Sequence, residues 1–277
     1  MDKLVSTEWL AARLGSDDIV LLDATMHLPD TGRDARTEFE AAHIPGARFL
    51  DLDSFIDAAS DVPKAMPTGE QFAERMGKLG IAPGSRIIIY DDSAIRSSAR
   101  AWFILTRYGE SKVAILDGGL GKWRIEGRQL SDRIVEHAPR HRAEAEAVRT
   151  VRNKDEMDGN IDTGEWQVVD ARDAARFEGR AGSGSEGHIP GARNLHFARL
   201  FREDGTYLSP EAIRSEFEEV GVDTDKPIVT TCNSGMTASV LLFGLALIGK
   251  LDAALYDGSW QEWGADPETP KESGAAR

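Results

Sequence analysis

The one cysteine of this chain, Cys232, heads the run Cys232-Asn233-Ser234-Gly235-Met236-Thr237-Ala238, where a thiol meets a short polar segment containing glycine. Pro227, Ile228 and Val229 read as the opening of a strand. Asn233, Ser234 and Gly235 favour a tight turn whose backbone amides converge on one point. Beyond it, Met236, Val240, Leu241, Phe243, Gly244, Leu247 and Ile248 recur at near-helical spacing, so the turn feeds the N-terminus of a largely buried helix. Unpaired N–H groups and the helix dipole both favour a thiolate there, and such placement lowers a cysteine pKa from ~8.5 to between ~3.5 and ~7.5. The chemistry expected is nucleophilic and covalent. A lone cysteine elsewhere is often a small buried hydrophobe, but Asn-Ser-Gly beside it suits a loop rather than a core strand.

The elements that hold this loop are set by length and patterning. A chain of 277 residues is natural for two domains, at roughly 150 residues per domain. Hydrophobic residues make up 41% and charged residues 29%, and no apolar run approaches the ~20 residues of a membrane span, so no membrane partner is expected. The N-terminal residues Met1 to Ser6 lack a signal-peptide core, and one cysteine makes no internal disulfide, which points to a reducing cytoplasm. The net charge of −14 argues against nucleic acid as a partner. No cysteine or histidine cluster has metal-ligand spacing, and no cofactor is expected.

The chain repeats itself. Leu21-Leu22-Asp23-Ala24 answers to Val168-Val169-Asp170-Ala171, and Ala42-His43-Ile44-Pro45-Gly46-Ala47-Arg48 to Gly187-His188-Ile189-Pro190-Gly191-Ala192-Arg193. Arg86 to Tyr90 pairs with Pro227 to Thr230, and Asp117-Gly118 through Trp123 with Asp257-Gly258 through Trp263. One unit is duplicated, each copy alternating short β-runs with amphipathic helices, which calls for an α/β domain with a mainly parallel sheet flanked by helices. The expected division is a first domain over 1–135, a linker and entry segment over 136–160, and a catalytic domain over 161–277. Register on the Asp-Gly-x-x-x-x-Trp motifs, an offset of 140, puts Asp92 opposite Cys232. The first copy thus has no thiol and is expected to serve as a wall of the cleft and a stability partner.

The paired His-Ile-Pro-Gly-Ala motifs, the Cys232 loop and Tyr256-Asp257-Gly258-Ser259-Trp260-Gln261-Glu262-Trp263 together resemble the two-domain rhodanese-type sulfurtransferases over nearly the whole chain. The resemblance implies two tandem rhodanese-like domains and a persulfide on Cys232. Loops of the form Cys-Arg-Lys-Gly-Val-Thr accompany thiosulfate as donor in that family, and Cys-Gly-Ser-Gly-Val-Thr accompanies 3-mercaptopyruvate. Cys232-Asn233-Ser234-Gly235-Met236-Thr237 is similar to the latter, which implies 3-mercaptopyruvate as the small-molecule donor and a thiol such as thioredoxin, or cyanide, as acceptor.

Roles follow by residue type. Amides from Asn233, Ser234, Gly235, Met236 and Thr237 would hold the persulfide anion as an oxyanion hole holds its charge, and the Ser234 hydroxyl would donate to sulfur or relay a proton. Thr237 reads equally as a helix cap. The resemblance places a carboxylate-binding arginine at Arg176, while a second arginine expected before Gly187 has no motif here and falls on Arg180 in a shortened insert. It also maps a proton-handling aspartate onto Asp53, while the matching histidine position holds Lys64. Lys64 as a cation or His27 are the candidates to replace it. Arg172 reads as a salt bridge within the domain, His43 and His188 as fixing repeated turns, and Trp260 and Trp263 as packing. A Cys-x5-Arg phosphatase loop is excluded, because the sixth residue after Cys232 is Ala238. Two rivals stay open: thiosulfate:cyanide sulfurtransfer, and a noncatalytic sulfur carrier loaded by a partner protein.

Overall fold

The computed structural model describes residues 1–276 and divides into two compact units. Unit 1 comprises residues 1–57, 66–148 and 202–207, and unit 2 comprises 58–65, 149–201 and the chain from Leu208 on. In unit 1 the elements are β1 (Leu4–Val5), α1 (Thr7–Ala11), β2 (Ile19–Asp23), α2 (Ala35–Ala41), β3 (Arg48–Phe49), α3 (Gly69–Lys78), β4 (Arg86–Tyr90), α4 (Ser98–Arg107), β5 (Val113–Leu116) and α5 (Gly119–Ile125). Unit 2 repeats the plan with β6 (Val151–Arg152), α6 (Lys154–Thr163), β7 (Gln167–Asp170), α7 (Ala174–Phe177), β8 (Arg193–Asn194), α8 (Pro210–Glu219), β9 (Ile228–Thr231), α9 (Ala238–Leu247), β10 (Ala254–Tyr256) and α10 (Ser259–Trp263).

Each sheet has five parallel strands, in the orders β1-β5-β4-β2-β3 and β6-β10-β9-β7-β8. The central strands carry apolar runs such as Ile87-Ile88-Ile89, all fully buried, because helices cover both faces. Packing on one face gathers Leu10, Phe39, Ile88, Tyr90 and Trp123 in unit 1, and Met157, Phe177, Val229, Tyr256 and Trp263 in unit 2. Helix starts follow capping chemistry: Ser209 accepts from the Ala212 amide with Pro210 in the first turn of α8, and Asn153 and Glu156 form a capping box on α6.

The two His-Ile-Pro-Gly turns are fixed alike. His43 Nδ1 bonds the Phe39 carbonyl at 2.6 Å and stacks on that ring, and His188 Nδ1 bonds the Phe177 carbonyl at 2.8 Å and stacks on its ring. Their backbones bridge to Ser131 and Glu272. The segment joining the repeats lies along α3 rather than hanging free. A Cβ on Gly69 would sit 2.0 Å from the Ala145 carbonyl oxygen and one on Gly77 2.3 Å from that of Arg140, so only glycine admits the strap. Arg142 of this segment forms a buried ion pair with Glu110.

The repeated Asp-Ala pair is handled differently in each unit. Asp170 is paired with Arg172, whereas Asp23 is followed by Thr25, whose amide donates to it at 2.9 Å. Burial pushes the Asp23 carboxyl up from 3.8 to about 6, against the hydrogen bonds of Thr25 and Tyr90. The folded state therefore binds this proton more tightly than the unfolded chain, and the stability it contributes is lost as pH rises from about 4 through about 6. A rise from 3.8 to about 6 corresponds to roughly 3 kcal/mol. We expect the stability advantage of Asp23→Asn over wild type, from urea unfolding, to grow by roughly that much between pH 4 and pH 7; a constant difference would remove this account.

Candidate active site

The parallel order puts the carboxyl ends of all five strands of unit 2 on one side, where α/β sheets expose their reactive loops. Cys232 follows directly on the central strand β9, with only 1% of its surface exposed. After the loop comes α9, apolar on every side and buried over almost its whole length, so its N-terminus is held firmly behind the sulfur.

Ser259 organises the loop. Its Oγ accepts from the amides of Cys232 (3.2 Å) and Gly235 (3.1 Å) and donates to the Tyr256 carbonyl (2.8 Å). It is fully buried and sits at φ +52°, a left-handed conformation that costs a non-glycine residue about 1 kcal/mol or more. The next two amides complete the clamp: Trp260 N–H donates to the Cys232 carbonyl at 3.0 Å and Gln261 N–H to that of Asn233 at 2.9 Å. The Ser239 hydroxyl holds the Gly235 carbonyl at 2.8 Å. Gly235, at φ +73°, thus departs from the expected cradle, because its N–H is taken by Ser259. The amides of Asn233, Ser234, Met236 and Thr237 donate to no protein acceptor among the described residues, and neither does the Ser234 hydroxyl. Thr237 occupies the N-cap of α9 without a side-chain capping bond.

Unit 1 shows what such a loop does with an anion. Ala24 N–H bonds the Tyr90 carbonyl as Ala171 N–H bonds that of Thr231, and Leu120 N–H bonds the Asp91 carbonyl as Trp260 N–H bonds that of Cys232. The residue opposite Cys232 is therefore Asp91, not Asp92. The first loop is one residue longer, and an offset taken from the Trp motif slips across it. The Asp91 carboxylate accepts from the amides of Ser93 (3.0 Å) and Ser98 (2.7 Å), so unit 1 fills its own loop with a built-in negative group. Gly119, at φ +59°, stands where Ser259 does.

Around the loop, Arg172 is buried with Asp170. Its Nε and Nη2 reach both carboxylate oxygens at 2.7–3.1 Å, Nη1 donates to Ser185, and the guanidinium lies 4.6 Å from the Trp260 ring. Arg176 is about half exposed and loosely paired with Asp173 at 3.5 Å, so its fork is open to another partner. Arg180 is gripped at both ends by Glu178, at 2.7 and 3.0 Å. With Ser185, Glu186, Asn233, Trp260 and Gln261 it lines a cavity of about 680 Å³ that reaches the loop.

His196 was not singled out by sequence. The strand pairing Asp170↔Asn194 and the bond from Phe197 N–H to the Ala171 carbonyl run it alongside the Arg172–Asp173 segment. In unit 1, Asp53 and His27 line a separate polar cavity of about 280 Å³ with Arg33 and Arg36, and His27 is engaged by Glu38 at 2.9 Å. Lys64, at φ +54°, belongs to the 58–65 segment that clusters with unit 2. Among the described residues no group of three or more His, Cys, Asp or Glu is placed to hold a metal, and no helix is long and apolar enough to cross a membrane.

The Rhodanese-like domain family matches residues 6–126 and again 153–266. Human 3-mercaptopyruvate sulfurtransferase is 39% identical over 271 residues, covering 94% of this chain and 91% of its own length. The mitochondrial thiosulfate/3-mercaptopyruvate sulfurtransferase 1 of Arabidopsis thaliana is 35% identical, covering 98% of this chain and 78% of its own. The crystal structure of SseA from Escherichia coli, a 3-mercaptopyruvate sulfotransferase of the rhodanese fold, superimposes with a TM-score of 0.86 at 34% identity, covering 94% of this chain and 99% of that one. With two copies of the family's domain and a thiol on the second, the chain belongs to the rhodanese family.

Proposed function

We propose that the protein is a sulfurtransferase that takes sulfur from 3-mercaptopyruvate through a Cys232 persulfide. The Cys232 thiolate attacks the donor's sulfur; the carbon–sulfur bond breaks with its electron pair going to carbon, and the enolate takes a proton to become pyruvate. An acceptor thiolate, or cyanide, then attacks the outer sulfur and returns Cys232 as thiolate. A thioredoxin-like dithiol in a reducing cytoplasm suits the second half, since the chain has no other cysteine to resolve the persulfide.

One observation carries this reading: among the described residues the amides of Asn233, Ser234, Met236 and Thr237 are left without protein acceptors, while Asp91 fills the corresponding loop in unit 1. Four donors fixed before reaction stabilise a sulfur anion without reorganising, as an oxyanion hole does. Ser234 adds a hydroxyl to the same loop. The absence of cations in the loop favours a monoanionic keto acid over thiosulfate, with Arg176 as the open fork for its carboxylate. Arg180, already closed by Glu178, has a lesser part. Thiosulfate transfer is the second reading, favoured by the Arabidopsis relative named for both donors.

The test is sulfur transfer to cyanide with the two donors side by side. We expect kcat/KM to favour 3-mercaptopyruvate, and Arg176→Ala to raise KM for it by about 10- to 100-fold, the worth of a bidentate charged contact, with a much smaller change for thiosulfate. Asp53→Ala is expected to do less. A wild-type preference for thiosulfate would reverse the assignment, and transfer from neither donor would leave a carrier.

A further inference from the structure

Two groups expected at the donor site are missing or committed elsewhere: the second arginine has no motif, with Arg180 held by Glu178, and the relay histidine is replaced by Lys64. The second unit nevertheless holds an imidazole that the repeat does not require. Arg48-Phe49-Leu50-Asp51 of unit 1 answers to Arg193-Asn194-Leu195-His196, so the position is an aspartate in one copy and a histidine in the other. The backbone fixes where it stands. Leu195 N–H bonds the Asp170 carbonyl (3.0 Å), Phe197 N–H that of Ala171 (3.1 Å), and Asn194 Nδ2 those of Asp170 (3.1 Å) and Arg172 (2.8 Å).

His196 is thereby sewn to the segment that leads into α7 and Arg176, beyond the carboxyl ends of β7 and β8. Its ring is partly exposed and edge-on to Phe197 at 4.8 Å, and both Asp173 and Arg176 act on it electrostatically. Arg199, on the same turn, is turned away into Glu216 and Glu219. Arg172 is spent on Asp170. The charges that act on the ring are therefore Asp173 and Arg176.

We propose that His196 is a donor-binding residue, the second pole of a carboxylate site whose first pole is Arg176. This rests on the reading of Arg176 given above. The loose 3.5 Å contact with Asp173 leaves the Arg176 fork free to turn to a ligand. A carboxylate arriving there brings a negative charge beside an imidazole whose protonated form is disfavoured in the empty site, by burial first, with Asp173 opposing and Arg176 adding a smaller repulsion. Binding then draws a proton onto His196, and the imidazolium donates to the bound carboxylate. Donor affinity falls as pH rises through the titration of the occupied site.

The experiment is KM for 3-mercaptopyruvate from pH 5.5 to 8.5 in wild type, His196→Gln and Arg176→Ala, with pyruvate as a competitive probe of the same site in Cys232→Ser. Wild type is expected to show KM rising by about tenfold across this range, the worth of one charge-assisted hydrogen bond. His196→Gln flattens that rise and raises KM at pH 6, with kcat affected less, and calorimetry in two buffers shows proton uptake on pyruvate binding that His196→Gln loses. If Arg176→Ala raises KM while His196→Gln keeps the wild-type pH profile and proton uptake, the His196 assignment falls and the carboxylate fork stands. If Arg176→Ala leaves KM unchanged, the fork itself is misplaced and the assignment falls with it. Thermal unfolding of His196→Gln separates a folding defect from either result, since a merely structural role shifts the melting temperature without changing the proton count.

Discussion

Cys232→Ser is expected to abolish sulfur transfer from either donor, with kcat/KM at least about 10⁴-fold below wild type. The hydroxyl that replaces the thiol does not ionise near neutral pH, and oxygen in its place cannot form the persulfide that carries the group. The loop around it should survive the change. What holds it is main chain and Ser259: Cys232 N–H to Ser259 Oγ, Trp260 N–H to the Cys232 carbonyl, Gln261 N–H to the Asn233 carbonyl, none of which uses the sulfur. Serine is also close in size at a site with only 1% exposure. The variant should therefore keep the wild-type melting temperature to within a few degrees and still bind pyruvate, so that lost turnover reports on the nucleophile and not on folding. A variant that transfers sulfur at even a hundredth of the wild-type rate would place the covalent step elsewhere.

The thiol and its turn are readable from sequence because both are local: one cysteine, a polar turn after it, and helical spacing beyond. The parallel sheets follow from the repeat, since strand runs alternating with helices leave few other arrangements. The role of Ser259 is not local. It bonds amides 27 and 24 residues away, and only the sheet brings the loop after β10 beneath the loop after β9. A signal was present, for the repeat sets Ser259 against Gly119, and a buried serine where the sister copy has a positive-φ glycine must have a use for its hydroxyl. The same contact withdraws the Gly235 amide from the cradle, something residue type alone does not reveal. The slip from Asp91 to Asp92 has a similar origin: the one-residue difference in loop length lies between motifs, where sequence register carries no information and the hydrogen bonds of Ala24 and Leu120 do. His196 stood in plain view opposite Asp51, but its neighbours Asp173 and Arg176 come from another strand's end.

Arg172→Ala is expected to be the most destabilising single change near the site, by about 3–5 kcal/mol, because it strands a carboxylate in the core. Asp170 and Arg172 expose only 1% and 2% of their side chains, and among the described residues no other cation is within bonding reach of Asp170. Removing the guanidinium also takes one donor from the carbonyl of Gly187 and one from the hydroxyl of Ser185, and takes away the cation stacked on Trp260. Trp260 is the residue whose amide fixes the Cys232 carbonyl, so kcat should fall together with stability even though the Arg172 guanidinium is committed to Asp170. Unit 1 shows the alternative solution: Asp23 has Thr25 in place of an arginine, and its carboxyl is pushed up to about 6 instead of being neutralised by a partner. Arg172→Thr should accordingly cost less than Arg172→Ala. The decisive comparison is the double variant Asp170→Asn/Arg172→Ala. With the charge gone, it should recover a large part of the loss seen in Arg172→Ala alone by urea unfolding, a coupling of at least about 1–2 kcal/mol. Losses that simply add would mean that Arg172 acts through packing on Trp260 and not through the buried pair.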